Sequence, residues 1–207
     1  MSQPESPHMP IPFFDGHNDF LLRLMKSPAP REDTWLGTSA GHMDLTRMKQ
    51  AGFAGGLFAI FVPPVPDGSP PPDFRKLMAE PPYALPLPPE MDHATAQPTA
   101  LEMAGLLHWM ARAAPNDFAL CRDTQEIRVA MDSGRIAGVM HMEGAEAIGP
   151  DLDALYLFHD MGLRSLGPVW SRPTIFGHGV PMAFPGTPDT GPGLTERGRD
   201  LIRLCNE

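Results

Sequence analysis

The chain has 207 residues, which is enough for one hydrophobic core or for part of a larger domain. Its formal charge of -9 and its lack of a Lys/Arg stripe argue against a nucleic-acid partner, because phosphate binding needs clustered positive charge. No apolar run is long enough to span a bilayer, and residues 1–10 lack the apolar segment of a secretory signal. The 2 cysteines are too few for a disulfide framework, so we expect a reduced, cytoplasmic protein without a membrane partner.

The N-terminal part of the chain alternates extended and helical patterns. An apolar run predicts a strand at residues 11–15, and apolar residues at helical spacing predict a helix at 18–26. Asp44 is the predicted N-cap of a short helix over 45–50. The run 56–62 is apolar throughout, which is typical of a strand that is covered on both faces.

Proline interrupts this alternation after residue 62. The chain contains 26 prolines, and 12 of them lie between Pro63 and Pro98. Proline lacks the N–H group that helices and sheet ladders need, so we interpret residues 63–98 as a long irregular insertion. A lid, a subunit contact and a mobile segment are all open as roles for it.

Helices and strands alternate again in the rest of the chain. Such alternation indicates a parallel sheet in an α/β fold. The predicted strands cover 136–142 and 163–169, and the predicted helices cover 98–114, 123–132, 152–161 and a last segment that Thr195 caps.

A turn with two potential metal ligands follows the first predicted strand. In an extended backbone, His17 and Asp19 project to the same side, and an imidazole with a carboxylate suits a divalent metal such as zinc. On spacing alone an ordinary turn is the favoured interpretation, since Asp, Gly and Asn are common turn residues.

The strand predicted at 136–142 is followed directly by a carboxylate, Glu143. His141 and Glu143 share one face of this strand, and the carboxyl ends of barrel strands are where catalytic residues lie. A carboxylate in this place binds a metal, pairs with an arginine or faces water, and the residues alone leave these alternatives open.

Several motifs together resemble the membrane (renal) dipeptidase family of zinc peptidases, and most closely its soluble bacterial members. Their order and spacing extend through almost the whole chain. The motifs are Asp-Gly-His-Asn-Asp at 15–19, His-Met-Asp-Leu-Thr-Arg-Met at 42–48, and the segments 56–63, 134–144, 163–166 and 193–195.

This resemblance implies a metal-dependent, TIM-like (β/α) barrel, of which residues 1–207 form the N-terminal part, with about the first four βα units and an insertion at about 63–98. It implies two zinc ions in a complete site. His17 and Asp19 would bind one ion and Glu143 would bridge both. The implied reaction is hydrolysis of a dipeptide, or of a similar small amide, by a metal-activated water.

The resemblance also implies residues that the chain lacks or replaces. The other zinc ligands and the proton-transferring acid of the family come from later strands, so we expect the catalytic acid/base beyond Glu207 and little hydrolytic activity from residues 1–207 alone. Many relatives carry a substrate-contacting histidine where this chain has Trp170. His178, in the following loop, is a candidate replacement, and both are candidate substrate-binding residues.

Two other functions are open at this point. One is a non-catalytic half barrel that binds a partner, or forms a homodimer, across its open sheet edge. The other is an amidohydrolase that acts on another small amide. That class usually presents His-x-His after the first strand, and Asp19 argues against it.

Overall fold

A computed structural model describes residues 11–37, 40–65 and 73–207. Asp44 caps the predicted short helix, since its carboxylate accepts a hydrogen bond from the backbone N–H of Arg47 at 2.8 Å. The first elements are β1 (Phe13–Asn18), α1 (Phe20–Lys26), α2 (Arg31–Leu36), α3 (Leu45–Ala51), β2 (Phe53–Phe61), α4 (Phe74–Ala79) and β3 (Tyr83–Ala84).

The later part of the chain continues the alternation of helices and strands. Asp123 and Thr195 cap helices there, and both predicted caps are confirmed. Among the helices of the described ranges, none combines the length and the apolar character that a bilayer crossing needs. The later elements are α5 (His93–Ala113), β4 (Phe118–Leu120), α6 (Thr124–Asp132), β5 (Ile136–Glu143), α7 (Asp153–Met161), β6 (Leu163–Gly167), β7 (Ala183–Phe184) and α8 (Glu196–Cys205).

The main sheet has the strand order β1-β2-β5-β4, and β6 also pairs with β5. β1 runs parallel to β2 with Asn18 opposite Phe58, and β4 runs parallel to β5 with Phe118 opposite Ile136. Most residues of β2 and β5 are buried, as expected for strands that are covered on both faces. The parallel sheet predicted from the alternating pattern is confirmed.

The chain divides into two compact units. That residues 1–207 belong to one barrel domain stays a prediction. An aromatic cluster forms part of the core of the first unit. The ring of Trp35 lies 5.6 Å from that of Phe20 and 5.3 Å from that of Phe118. The first unit contains residues up to Ile60, Glu102–His141 and Gly162–Ser165, and the second contains Phe61–Leu101, Met142–Met161 and the residues from Leu166 onward.

A second, two-stranded sheet lies in the second unit. β3 and β7 pair in antiparallel fashion, and the ring of Tyr83 stacks on that of Phe184 with centroids 6.2 Å apart. The backbone N–H of Leu85 adds a hydrogen bond to the carbonyl oxygen of Met182 at 2.9 Å. This small sheet therefore joins the segment after β2 to the segment after β6.

The segment 63–98 is more regular than predicted, which corrects the interpretation of one long irregular insertion. It contains α4 and β3, and α5 begins at His93 rather than at Pro98. Asp92 accounts for the earlier start, because its carboxylate accepts a hydrogen bond from the backbone N–H of Thr95 at 3.2 Å. Residues 66–72 lie outside the described residues, and the role of the segment stays a prediction.

Besides α4 and β3, the elements α2, β4 and β7 were not predicted from the sequence. β4 has three residues, which is too short for a periodic pattern. Its place beside β5 depends on Gly138, because a Cβ atom there would lie 2.2 Å from Cζ of Phe118. The fully buried side chain of Trp35 anchors α2, whose other residues are mostly exposed, to the core.

Candidate functional site

The first two candidate ligands lie where β1 ends and α1 begins. Nε2 of His17 lies 3.5 Å from Oδ1 of Asp19, and the two side chains are 39% and 61% exposed. Asp19 occupies the N-cap position of α1, but its side chain makes no capping hydrogen bond there. The Asp19 carboxylate is therefore not used to begin the helix.

The residue between the two candidate ligands, Asn18, fixes the turn that carries them. Its buried amide nitrogen donates to Oδ2 of Asp15 at 3.0 Å and to the carbonyl oxygen of Leu57 at 3.1 Å. Its amide oxygen accepts a hydrogen bond from the backbone N–H of Phe20 at 3.3 Å. Sequence reasoning missed this role, although Asn18 lies within the motif.

His141 on β5 faces the ring of His17. The two ring centroids lie 5.5 Å apart at an interplanar angle of 80°, and Nδ1 of His141 shares a 2.8 Å hydrogen bond with Oγ of Ser165. Burial, and then the neighbouring His17, lower the pKa of His141, while a hydrogen bond to Ser165 opposes the shift. Burial therefore favours the neutral form of the His141 imidazole over its cation.

Glu143 is the last residue of β5 and is half-buried. It follows His141 by two residues, so strand alternation directs both side chains to the same face. Met140 and Met142, which alternate with them, are buried. The carboxyl end of β5 thus presents one imidazole and one carboxylate on one face.

A metal ion fits the donor pair at the end of β1. Two ligand atoms bound to a tetrahedral zinc at about 2.1 Å lie about 3.4 Å from each other. The observed separation of Nε2 of His17 and Oδ1 of Asp19 is 3.5 Å. The spacing therefore suits an ion held between the two side chains as well as a direct ion pair.

The two candidate substrate-binding residues lie in the second unit. The ring of Trp170 packs edge-on against that of Phe61, with centroids 4.9 Å apart. His178 is exposed and lines a cavity of about 420 Å³ together with residues such as Glu90 and Arg197. The cavity is bounded in part by the first residues of α8.

These elements define an α/β protein with a parallel sheet and potential metal ligands where its strands end. The model of the membrane dipeptidase family, peptidase family M19, matches residues 5–207. The chain belongs to this family. The family implies a metal cofactor, and the predicted resemblance is confirmed.

Two solved structures of the family have the same fold as this chain over the matched residues. The dipeptidase AC, a metallopeptidase of family M19, is 60% identical with a TM-score of 0.88, and the match covers 96% of this chain and 56% of that one. A metallopeptidase from Rhodobacter sphaeroides, solved with a phosphinate mimic of the dipeptide L-Ala-D-Ala, is also 60% identical with a TM-score of 0.89 and the same coverage. The fold is that of these TIM-like barrel dipeptidases, of which the chain covers part.

The match to a curated relative also covers only part of that relative's length. An uncharacterised protein in the PQQ-III 3' region of Acinetobacter calcoaceticus is 40% identical over 197 residues, which are 94% of this chain and 60% of that protein. The chain therefore spans little more than half the length of these three relatives.

Proposed function

We propose that the complete protein containing this chain is a zinc-dependent dipeptidase, and that His17, Asp19 and Glu143 are metal ligands. The observation that carries the proposal is the His17–Asp19 pair, with its 3.5 Å separation, in a chain of the membrane dipeptidase family. The three residues offer an imidazole and two carboxylates, a donor set that can hold a metal ion.

Each ligand has a distinct part in this proposal. His17 and Asp19 would bind one ion, held in place by the hydrogen bonds of Asn18. Glu143 has two carboxylate oxygens and can therefore bridge two ions, as the resemblance implies. A bound zinc supplies Lewis acidity and a bound water of lowered pKa. His141 shares its face of β5 with Glu143, and burial lowers its pKa, which disfavours a positive charge beside this proposed ligand.

The proposed substrates are dipeptides. The relative from Rhodobacter sphaeroides was solved with a mimic of L-Ala-D-Ala, which makes this dipeptide the first to assay. Hydrolysis adds the oxygen of water to the carbonyl carbon, breaks the C–N bond and leaves a proton on the released amine. Trp170 and His178 stay candidates for substrate contact. A reduced, cytoplasmic location is proposed as well, since Cys121 and Cys205 are both free thiols.

The test uses the complete protein. We expect metal analysis to find zinc, and we expect L-Ala-D-Ala hydrolysis to disappear on chelation and return when zinc is added. His17→Ala and Glu143→Gln should lose metal and activity while their circular dichroism stays that of the wild type. Hydrolysis that survives chelation, or that is unchanged in Glu143→Gln, would show that the proposal is wrong.

A further inference from the structure

A buried arginine joins three segments of the second unit. Nε of Arg172 donates to Oε1 of Glu146 at 2.8 Å, and its Nη2 lies 2.7 Å from the same oxygen. Nη2 also donates to the carbonyl oxygen of Val62 at 2.5 Å. Val62 follows β2, Glu146 follows β5 and Arg172 follows β6, so one guanidinium connects the chain just after three strands.

The carboxylate of Glu146 lies directly against the backbone that follows the proposed ligand Glu143. Gly144 has φ +85°, and a Cβ atom on it would lie 2.3 Å from Oε2 of Glu146. This Oε2 is buried and has no hydrogen-bond partner among the described residues. The N–H of Gly144 donates to the carbonyl oxygen of Gly167 at 3.0 Å. Residue 144 therefore has no room for a side chain beside Glu146, and its backbone is tied to Gly167 by a hydrogen bond.

Stability alone does not account for this ion pair. The side chains of Arg172 and Glu146 are 2% and 0% exposed, and removing two charges from water costs about as much as their attraction returns. Well-packed apolar replacements of such pairs are often neutral or stabilising. What an apolar pair cannot supply is the directed hydrogen bond from Arg172 to the end of β2.

We propose that Arg172 and Glu146 are positioning residues for Glu143. The guanidinium fixes Glu146, Glu146 fixes the backbone at Gly144, and that backbone sets the direction in which Glu143 leaves the end of β5. The inference rests on the proposed metal-binding role of Glu143. Partners that orient metal ligands typically change metal affinity by about 10- to 100-fold when they are removed.

The decisive variant is Arg172→Met combined with Glu146→Leu in the complete protein. It replaces the ion pair by apolar side chains of similar size, so its melting temperature should stay close to that of the wild type. We expect its dissociation constant for zinc, measured by competition with a chelator, to rise at least about tenfold. Arg172→Lys keeps the charge but loses the planar fork, and it should weaken zinc binding in the same direction.

Leu201→Ala is the matched control, because Leu201 is fully buried in the same unit but lies on α8, away from this ion pair. It should lower the melting temperature and leave zinc affinity unchanged when measured well below that temperature. Wild-type zinc affinity in the folded double variant, or an equal loss in Leu201→Ala, would overturn the positioning role. If Glu143→Ala binds zinc as tightly as the wild type, the proposed metal site itself is wrong, and the positioning role is wrong with it.

Discussion

Nε2 of His17 lies 3.5 Å from Oδ1 of Asp19, across the short turn that joins β1 to α1. Both side chains are exposed, so as a plain ion pair they would contribute little to stability. As a pair of ligands they would already have the separation that a tetrahedral ion requires. The two interpretations differ in what the loss of either side chain would change.

We predict that His17→Ala and Asp19→Asn each weaken zinc binding of the complete protein by more than about tenfold, because each removes a proposed direct ligand. The free energy of unfolding without metal should change by no more than about 1 kcal/mol, the usual limit for an exposed ion pair. Chelator competition measures the first quantity and urea denaturation the second.

His159→Ala is the control for this pair of variants. Nδ1 of His159 lies 4.0 Å from Oδ1 of Asp160, and both side chains are exposed, so the pair has similar chemistry without a proposed ligand role. Zinc affinity should be that of the wild type. If His17→Ala behaves like His159→Ala, His17 is not a ligand.

Asn18 should be important for stability as well as for the site. Asn18→Ala removes the donors to Asp15 and Leu57 and the acceptor for Phe20, so we expect the free energy of unfolding to fall by about 2–3 kcal/mol. Asn206→Ala, at an exposed helix end, should change it by less than about 0.5 kcal/mol. Equal effects of the two variants in urea denaturation would contradict the anchoring role.

Two glycine-to-alanine substitutions should change the free energy of unfolding in opposite directions. Gly138→Ala places a methyl group where the buried ring of Phe118 lies, so we expect a loss of about 1–3 kcal/mol in the free energy of unfolding. Gly105→Ala lies in α5, where a Cβ atom meets nothing within 4 Å, and should gain about 0.5–1 kcal/mol. A gain in Gly138→Ala would show that β4 does not pack against β5 as described.

Cys121 should make the fold less stable at alkaline pH. Burial, and then the nearby Glu126, raise the pKa of its thiol from 9.0 to about 11. Between these values the unfolded chain releases a proton that the folded chain keeps, so the free energy of unfolding falls as pH rises, by about 2–3 kcal/mol in total. Cys121→Ala should lack this component, and parallel pH profiles of the two proteins would exclude it.

The caps show what could be predicted from local sequence. Asp44, Asp123 and Thr195 each cap the helix that follows, because the capping oxygen and its N–H partner lie only three residues apart. Other elements could not be predicted in this way. The many prolines of segment 63–98 led us to predict irregular structure, so α4, β3 and the cap that Asp92 provides for α5 were missed. β4 was missed because three residues are too few to show a periodic pattern.

The candidate site also combines residues that could be predicted from the sequence with contacts that only the tertiary structure shows. His17, Asp19 and Glu143 were predicted as ligands from the resemblance to the family, because spacing alone favoured an ordinary turn at 15–19 and left the role of Glu143 open. The hydrogen bonds from Asn18 to Leu57 and from Arg172 to Val62 join residues 39 and 110 positions apart. No periodic pattern encodes such pairs, because their energy arises only when folding removes both partners from water and brings them within hydrogen-bond distance.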